Sequence, residues 1–440
     1  MIIYEQVLYK LEIKLMTKQR PQKKQNRKQN SQRKKKSRGS FFVERIDLKM
    51  TITLIFLCCF GLLMLYSASS YECSLSEDYN YDSAYLLKKQ MIFMIMGIAG
   101  VVIFRVADYH WLIKLAIPIY IIGTLSPLLV KTPLGVSSHG ASRWINLGFI
   151  QFQIAELVKI STIIFLAYMV YRFFNARGSQ ILTVYIWIGG AVPAVMVYIC
   201  TNDLSSALVI LGITFLTTFV CMRTWKMHII VAVFMIIAVV LYIHNIATNL
   251  PTVEELKNMS FRVGRIAAFI DPERYAENQG YQVLQSLYAV ASGGLFGKGL
   301  GNSTQKLGAI PESQNDMIFS IICEELGLFG ALILLGLFAY LCFHIVRVAR
   351  SSRDAFGSVL AMGVFLHIGL QTIINVSVNL NWMPNTGIAL PLISYGGTAI
   401  LCQLAEMGLV YSVERNNRLY AIERMKMRDR IEKMNEQNLQ

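Results

Sequence analysis

Long runs without Asp, Glu, Lys or Arg dominate the chain, at residues 50–71, 178–202, 204–222, 227–253, 326–346 and, longest, 355–405. They are apolar on every face, the pattern of a helix surrounded by lipid or buried all round. A run of 18 or more apolar residues reads as a membrane span, because about 20 helical residues cross about 30 Å of hydrocarbon. The pattern predicts ten spans, near 50–70, 90–105, 112–130, 157–173, 181–200, 204–222, 228–245, 317–346, 356–376 and 387–413. The 355–405 run is too long for one helix. Asn381-Trp382-Met383-Pro384-Asn385-Thr386-Gly387 breaks it, since Pro and Gly beside Asn mark a turn.

Composition agrees. AVILMFWYC make up 54% and charged residues 16% of the 440 positions, against roughly 25% charged in a soluble domain. The expected fold is therefore all-α and polytopic, about ten transmembrane helices with one long extracytoplasmic loop. The net charge of +15 does not point to nucleic acid, because residues 1–49 alone hold 15 Lys and Arg against Glu5, Glu12, Glu44 and Asp47. Residues 22–40 are nearly all Lys, Arg, Gln, Asn and Ser, which bury no core. They lack the pattern of a signal peptide. The chain divides into a disordered basic tail (1–48), a membrane domain (49–413) and a second tail (414–440). With the N-terminus inside, 31 of the 42 Lys and Arg face the cytoplasm and 10 the other side, Lys159 lying within the membrane. That bias puts both termini in the cytoplasm. Two loops, 131–156 and about 245–316, then lie outside, and an active site is expected there and at the outer span ends.

Chemistry is sparse. Cys58, Cys59, Cys200, Cys221, Cys323, Cys342 and Cys402 lie in or beside apolar spans, and Cys73 is expected in a polar loop. None of them has metal-ligand spacing with a His, so a zinc site is not expected. Asp316 stands where a loop meets a span, as either a helix N-cap or a general base at the water–membrane boundary. Glu324 and Glu325 lie deeper in the same span, where ionisable groups are costly. Glu156 and Lys159, three apart, suit an ion pair. Asp203 suits a helix cap. Ser394-Tyr395-Gly396-Gly397 marks polar, broken helix, which is tolerated only where protein or a cavity satisfies the backbone. The glycines of Ser292–Gly301 lack Walker spacing.

In this order the pieces resemble the SEDS family (shape, elongation, division, sporulation) of bacterial cell-wall polymerases, which includes FtsW, RodA and SpoVE. The resemblance runs from about Asp47 to Val413. It is carried by Tyr66-Ser67-Ala68-Ser69, Gly140-Ala141-Ser142-Arg143-Trp144-Ile145, Phe152-Gln153, Glu156-Leu157-Val158-Lys159, Asp203-Leu204-Ser205-Ser206-Ala207, Arg265-Ile266, Asp271-Pro272, the stretch 280–327 and the stretch 384–397. The chain departs from the family at Ile154-Ala155, at Asn202 and in Glu312-Ser313-Gln314-Asn315-Asp316, but keeps the carboxylate at 316. The long basic tail and Gln314-Asn315-Asp316-Met317-Ile318-Phe319 look more like the division or sporulation members than the elongation member.

The resemblance implies a glycosyltransferase that polymerises lipid II, with undecaprenyl pyrophosphate as leaving group in an inverting displacement. It implies Asp316 as catalytic residue. Arg143, Glu156, Lys159, Asp203, Arg262, Lys306, Glu312, Glu325, Ser394 and Tyr395 are expected to bind substrate or support the site. Arg143, Lys159, Arg262 and Lys306 are candidates to hold the diphosphate, with a divalent cation (Mg or Mn) as a possible addition. A class B penicillin-binding protein, which is a transpeptidase, and other division-machinery membrane proteins are the expected partners. A lipid II flippase and a non-catalytic scaffold are the competing readings.

Overall fold

The computed structural model describes residues 47–438, apart from 139, 140, 147, 149, 150, 308 and 309. The basic tail before Asp47 lies outside the described residues. Helix α1 (Leu48–Leu75) starts under Asp47, whose carboxylate accepts from the Lys49 and Met50 N–H groups. Then come α2 (Tyr85–Val106), α3 (Trp111–Leu125, followed by a 3₁₀ turn to Lys131), α4 (Ile154–Arg172), α5 (Gln180–Thr201), α6 (Leu204–Cys221) and α7 (Trp225–Thr248). Short helices α8 (Val253–Asn258), α9 (Phe261–Ile270) and α10 (Gln279–Gly293) precede α11 (Ile318–Arg350), α12 (Ala355–Asn379) and α13 (Gly397–Asn438).

Nine helices among the described residues are long and apolar enough to cross a membrane. The first part of α13 makes the tenth, since Ile400, Leu404, Met407, Val410 and Val413 are buried in the core. This is a multi-pass membrane protein, as the hydrophobic pattern predicts. Helices α4 and α12 form its centre, with 72% and 56% of their apolar windows buried, whereas α7 has 6% and faces outward nearly all round. Around that centre α13 packs on α2, α5 on α6, α11 on α12 and α3 on α4.

Three features depart from expectation. Residues 131–156 are not plain loop but carry an antiparallel sheet, β1 (Gly135–Ser138), β2 (Ala141–Asn146) and β3 (Gln151–Gln153), in the order β1-β2-β3. The first span runs on past Ser69 to Leu75, so Cys73 is buried in a helix rather than placed in a polar loop. The stretch 245–316 is not plain loop but contains α8, α9 and α10. The expected break at Asn381–Gly387 is present but longer, from Leu380 to Gly396, so the last helix starts at Gly397 rather than near 387.

The glycine-rich stretch repairs a second break. At Gly327, φ is 67° and helix α11 kinks. The Glu324 and Glu325 carbonyls are thereby freed, and they accept from the Lys298 and Gly299 N–H groups at 2.9 Å each. Beyond the kink, Leu328 and Phe329 donate to Gly294 and Leu295. A Cβ on Gly327 would sit 2.3 Å from the Gly297 nitrogen, so only glycine permits this approach. Backbone that leaves a helix at membrane depth must find such partners.

Candidate functional site

Asp316 immediately precedes α11 but does not cap it. The N-cap position is Met317, and no side chain caps the helix there. Its backbone carbonyl is pinned instead, accepting from Asn375 Nδ2 at 2.8 Å and Asn379 Nδ2 at 2.9 Å, both on α12. Asn379 is itself fixed by accepting from the Ser320 N–H and hydroxyl on α11. Four hydrogen bonds thus lock the start of α11 to the end of α12.

The Asp316 carboxylate is 8% exposed. Its Oδ1 accepts from Gln282 Nε2 at 3.4 Å. Its Oδ2 faces Gly387, where a Cβ would lie 3.8 Å from Oδ2 and also 3.8 Å from Arg265 Nη2. Gly387 has φ of 68°, so the turn itself favours glycine, and the missing side chain leaves space between carboxylate and guanidinium. Burial, and then the nearby Glu312 charge, push the Asp316 carboxyl up to about 7, against the opposing pull of its own N–H and of Arg265. Arg265 is lowered from the usual guanidinium range, mainly by burial and also by Arg143, while Asp316 and Asp203 oppose that shift. The Arg143 Nε is buried without a hydrogen-bond partner. Arg265 of α9 therefore faces both the Asp316 carboxylate before α11 and Arg143 of β2.

Most of the other expected residues are engaged elsewhere, while Glu312 lies near enough to act on Asp316 and Asp203 near enough to act on Arg265. Glu156 and Lys159 form a buried pair at 2.6 Å within α4. Asp203 caps α6, accepting from the Ser206 N–H at 3.0 Å and its hydroxyl at 2.8 Å. Arg262 is tied to the α5–α6 turn, donating to the Tyr198 hydroxyl at 2.8 Å and Asn202 Oδ1 at 2.6 Å. Lys306 is already engaged by protein. Its ammonium donates to Ser67 Oγ, the Gly301 carbonyl and Glu325 Oε1, and a lysine has three N–H donors, so none remains for a diphosphate. Glu324 is likewise occupied, by Lys298, Ser303 and Thr304. Ser394 folds the break, its hydroxyl accepting from the Leu390 N–H, and the Tyr395 N–H donates to the Gln314 carbonyl. Glu312, at φ 55°, accepts from Asn315 Nδ2.

Sequence reasoning passed over Arg265, Gln282, Asn375, Asn379 and Asn385 as site residues. Arg262 and Arg265 are three apart on one helix and equally basic, so spacing alone does not say which reaches the carboxylate. The asparagines at 375 and 379 were legible in principle, being polar and four apart on an otherwise apolar span.

The sequence pattern of the cell cycle protein family FtsW/RodA/SpoVE matches residues 48–419. The chain belongs to this family. It is 31% identical over 380 residues to a probable peptidoglycan glycosyltransferase FtsW of Geobacter sp. (strain M18), covering 86% of this chain and 98% of that relative. It is 31% identical over 381 residues to the stage V sporulation protein E of Bacillus subtilis (strain 168), covering 84% and 98%. Among solved structures it resembles a chain of a peptidoglycan synthase complex described as coordinating polymerization and crosslinking, at 26% identity and TM-score 0.65, with 84% of this chain and 98% of that one covered. The rod shape determining protein RodA of Thermus thermophilus shares the fold at 24% identity and TM-score 0.59, covering 85% and 98%.

Asp316 can take a proton from a hydroxyl near neutral pH, and the two guanidinium groups can hold an anion beside it. Among the described residues no group of three His, Cys, Asp or Glu side chains forms a metal centre.

Proposed function

We propose that this peptidoglycan glycosyltransferase polymerises lipid II into glycan strands for the septal wall, at the outer face of the bacterial cell membrane. The observation that carries the reading is a buried carboxylate, Asp316, raised to about 7 beside Arg265. Asp316 Oδ2 accepts the proton of the acceptor sugar's 4-hydroxyl. The oxygen attacks the donor's anomeric carbon from the face opposite the leaving group, the new glycosidic bond forms with inversion, and the bond to undecaprenyl pyrophosphate breaks. The carboxylate supplies about 10²–10⁴-fold. Arg265 and Arg143 stabilise the charge on the departing diphosphate, and guanidinium suits phosphate recognition. The distribution of Lys and Arg supports cytoplasmic termini and an outward site. The solved synthase complex supports a class B penicillin-binding protein as partner. A site at the end of the bundle, rather than at a midplane between repeats, favours transfer over transport.

The test is polymerisation of purified lipid II by the full chain and by Asp316→Asn, with strands read on a gel. Asp316→Asn is expected to insert normally and make no strands. Synthesis by that variant at more than a tenth of the unaltered rate overturns the assignment.

A further inference from the structure

The Asp316 carboxylate ends a chain of side-chain amides whose direction the backbone dictates. The Gly387 N–H, which only donates, bonds Asn385 Oδ1 at 2.9 Å. That identifies the oxygen end of the Asn385 amide and leaves its Nδ2 to donate to Gln282 Oε1 at 2.7 Å. The Gln282 amide is fixed in turn, since its oxygen must face Asn385. Its Nε2 therefore points into the site, donating to the Pro311 carbonyl at 3.2 Å and to Asp316 Oδ1 at 3.4 Å. Catalytic hydrogen bonds of that length tighten in the complex with substrate.

We propose that Gln282 and Asn385 form a one-way amide relay that positions Asp316, holding Oδ1 so that Oδ2 meets the acceptor hydroxyl. The proposal rests on the reading of Asp316 as the base. Both are positioning residues, because they act on the reacting atoms only through Asp316. The relay spans three separate pieces of chain: α10 supplies Gln282, the break after α12 supplies Asn385 and Gly387, and the loop before α11 supplies the base. Gly387 serves it twice, through its N–H at the start and through its missing side chain beside Oδ2. A chain of aligned amides polarises along its length, and a donor to a carboxylate favours its charged form.

The consequence is a displaced pH profile. The charged groups facing Asp316 are Glu312 of its own loop and Arg265 of α9, while Arg143 of β2 and Asp203 at the head of α6 face Arg265. The residues that reach it from α10 and α12 (Gln282, Asn375 and Asn379) are neutral. Altering the relay leaves all of these charges in place, so a displaced profile reports the lost donor.

The experiment is the pH–rate profile of lipid II polymerisation by the purified full chain, unaltered and as Gln282→Leu, Asn385→Ala and Asp316→Asn. Gln282→Leu is expected to lose about tenfold at pH 7, with the acid limb moved roughly one unit to higher pH and much of the rate recovered at pH 9. Asn385→Ala, which frees Gln282 to turn over, is expected to move the limb in the same direction by less. It lies in the break after α12 and carries the same readout if Gln282→Leu folds poorly. A loss equal at every pH, with the limb unmoved in both variants, overturns the relay while the base assignment stands. Strand synthesis by Asp316→Asn overturns the base assignment itself.

Discussion

Replacing Lys306 with methionine separates a structural cation from a leaving-group cation. Lys306 is 8% exposed and Glu325 is fully buried, and they meet at 2.9 Å. Without the ammonium, Glu325 keeps only the Ser67 hydroxyl at 2.6 Å, and its second oxygen already lacks a partner. Removing one member of a buried pair costs about 3–5 kcal/mol, because the other charge is left uncompensated. The surviving Ser67 bond places Lys306→Met at the lower end, about 3 kcal/mol. Adding Glu325→Gln removes the orphaned charge and keeps a group that accepts from Ser67, so the double variant should lose only about 1 kcal/mol. The coupling between the two sites is the loss of the double variant minus the losses of the two single variants, so Glu325→Gln alone completes the cycle. Equilibrium unfolding of the purified chain in mixed micelles measures all four corners of this cycle, and lipid II polymerisation is assayed on the same preparations. The double variant is expected to polymerise at close to the unaltered rate. A double variant that is folded and stable yet slowed more than a hundredfold would falsify the structural assignment and return Lys306 to the diphosphate.

Two further outcomes follow from the same geometry. Asp316 is raised from 3.8 to about 7 in the folded chain, so between those values the folded state holds a proton that the unfolded state has released. Its contribution to stability is complete below 3.8 and lost as pH rises through about 7. Asp316→Asn should therefore be more stable than the unaltered chain above pH 7, by on the order of 4 kcal/mol, with the gap closing toward pH 4; unfolding curves at pH 5 and 8 check this, and a gap that ignores pH counts against it. Gly327→Ala should cut the yield of folded protein and destabilise by about 2 kcal/mol or more, because φ is 67° and the new Cβ meets the Gly297 nitrogen at 2.3 Å. Gly336→Ala on the same helix, with nothing within 4 Å of its Cβ, is the control and should fold normally in the same micelles.

The spans were legible because hydrocarbon imposes one requirement, about 20 apolar residues, whatever the neighbours are. The break at Asn381–Gly387 was legible for a local reason, since Pro and Gly beside Asn do not continue a helix. The sheet at 135–153 was not legible. Its strands have three to six residues, and cross-strand pairs such as Trp144 with Val136 and Gln153 bring them together. Asp316 could be singled out as a carboxylate at a span boundary. Whether it caps the helix could not be decided from sequence, because that turns on whether the helix starts at 317 or at 318, a difference of one residue.

Basic residues show most clearly where sequence stops. Arg143, Lys159, Arg262 and Lys306 are alike on paper, each a cation near an outer span end. Hydrogen-bond accounting divides them. Lys306 spends its three N–H groups on Ser67, Gly301 and Glu325, Arg262 donates to Tyr198 and Asn202, and Lys159 is buried against Glu156. Arg143 has a buried Nε with no partner, and Arg265 stacks on Phe261 and faces the Asp316 carboxylate. Two like charges drawn together in a buried place, one with a donor unused, are unfavourable until an anion arrives. A cation already saturated by protein adds rigidity and little attraction for substrate. In the reaction we propose, Arg143 and Arg265 are the groups that meet the diphosphate. Lys298 and Lys306 fasten the glycine-rich stretch to the kinked helix α11 through Glu324 and Glu325, and the start of that helix places Asp316.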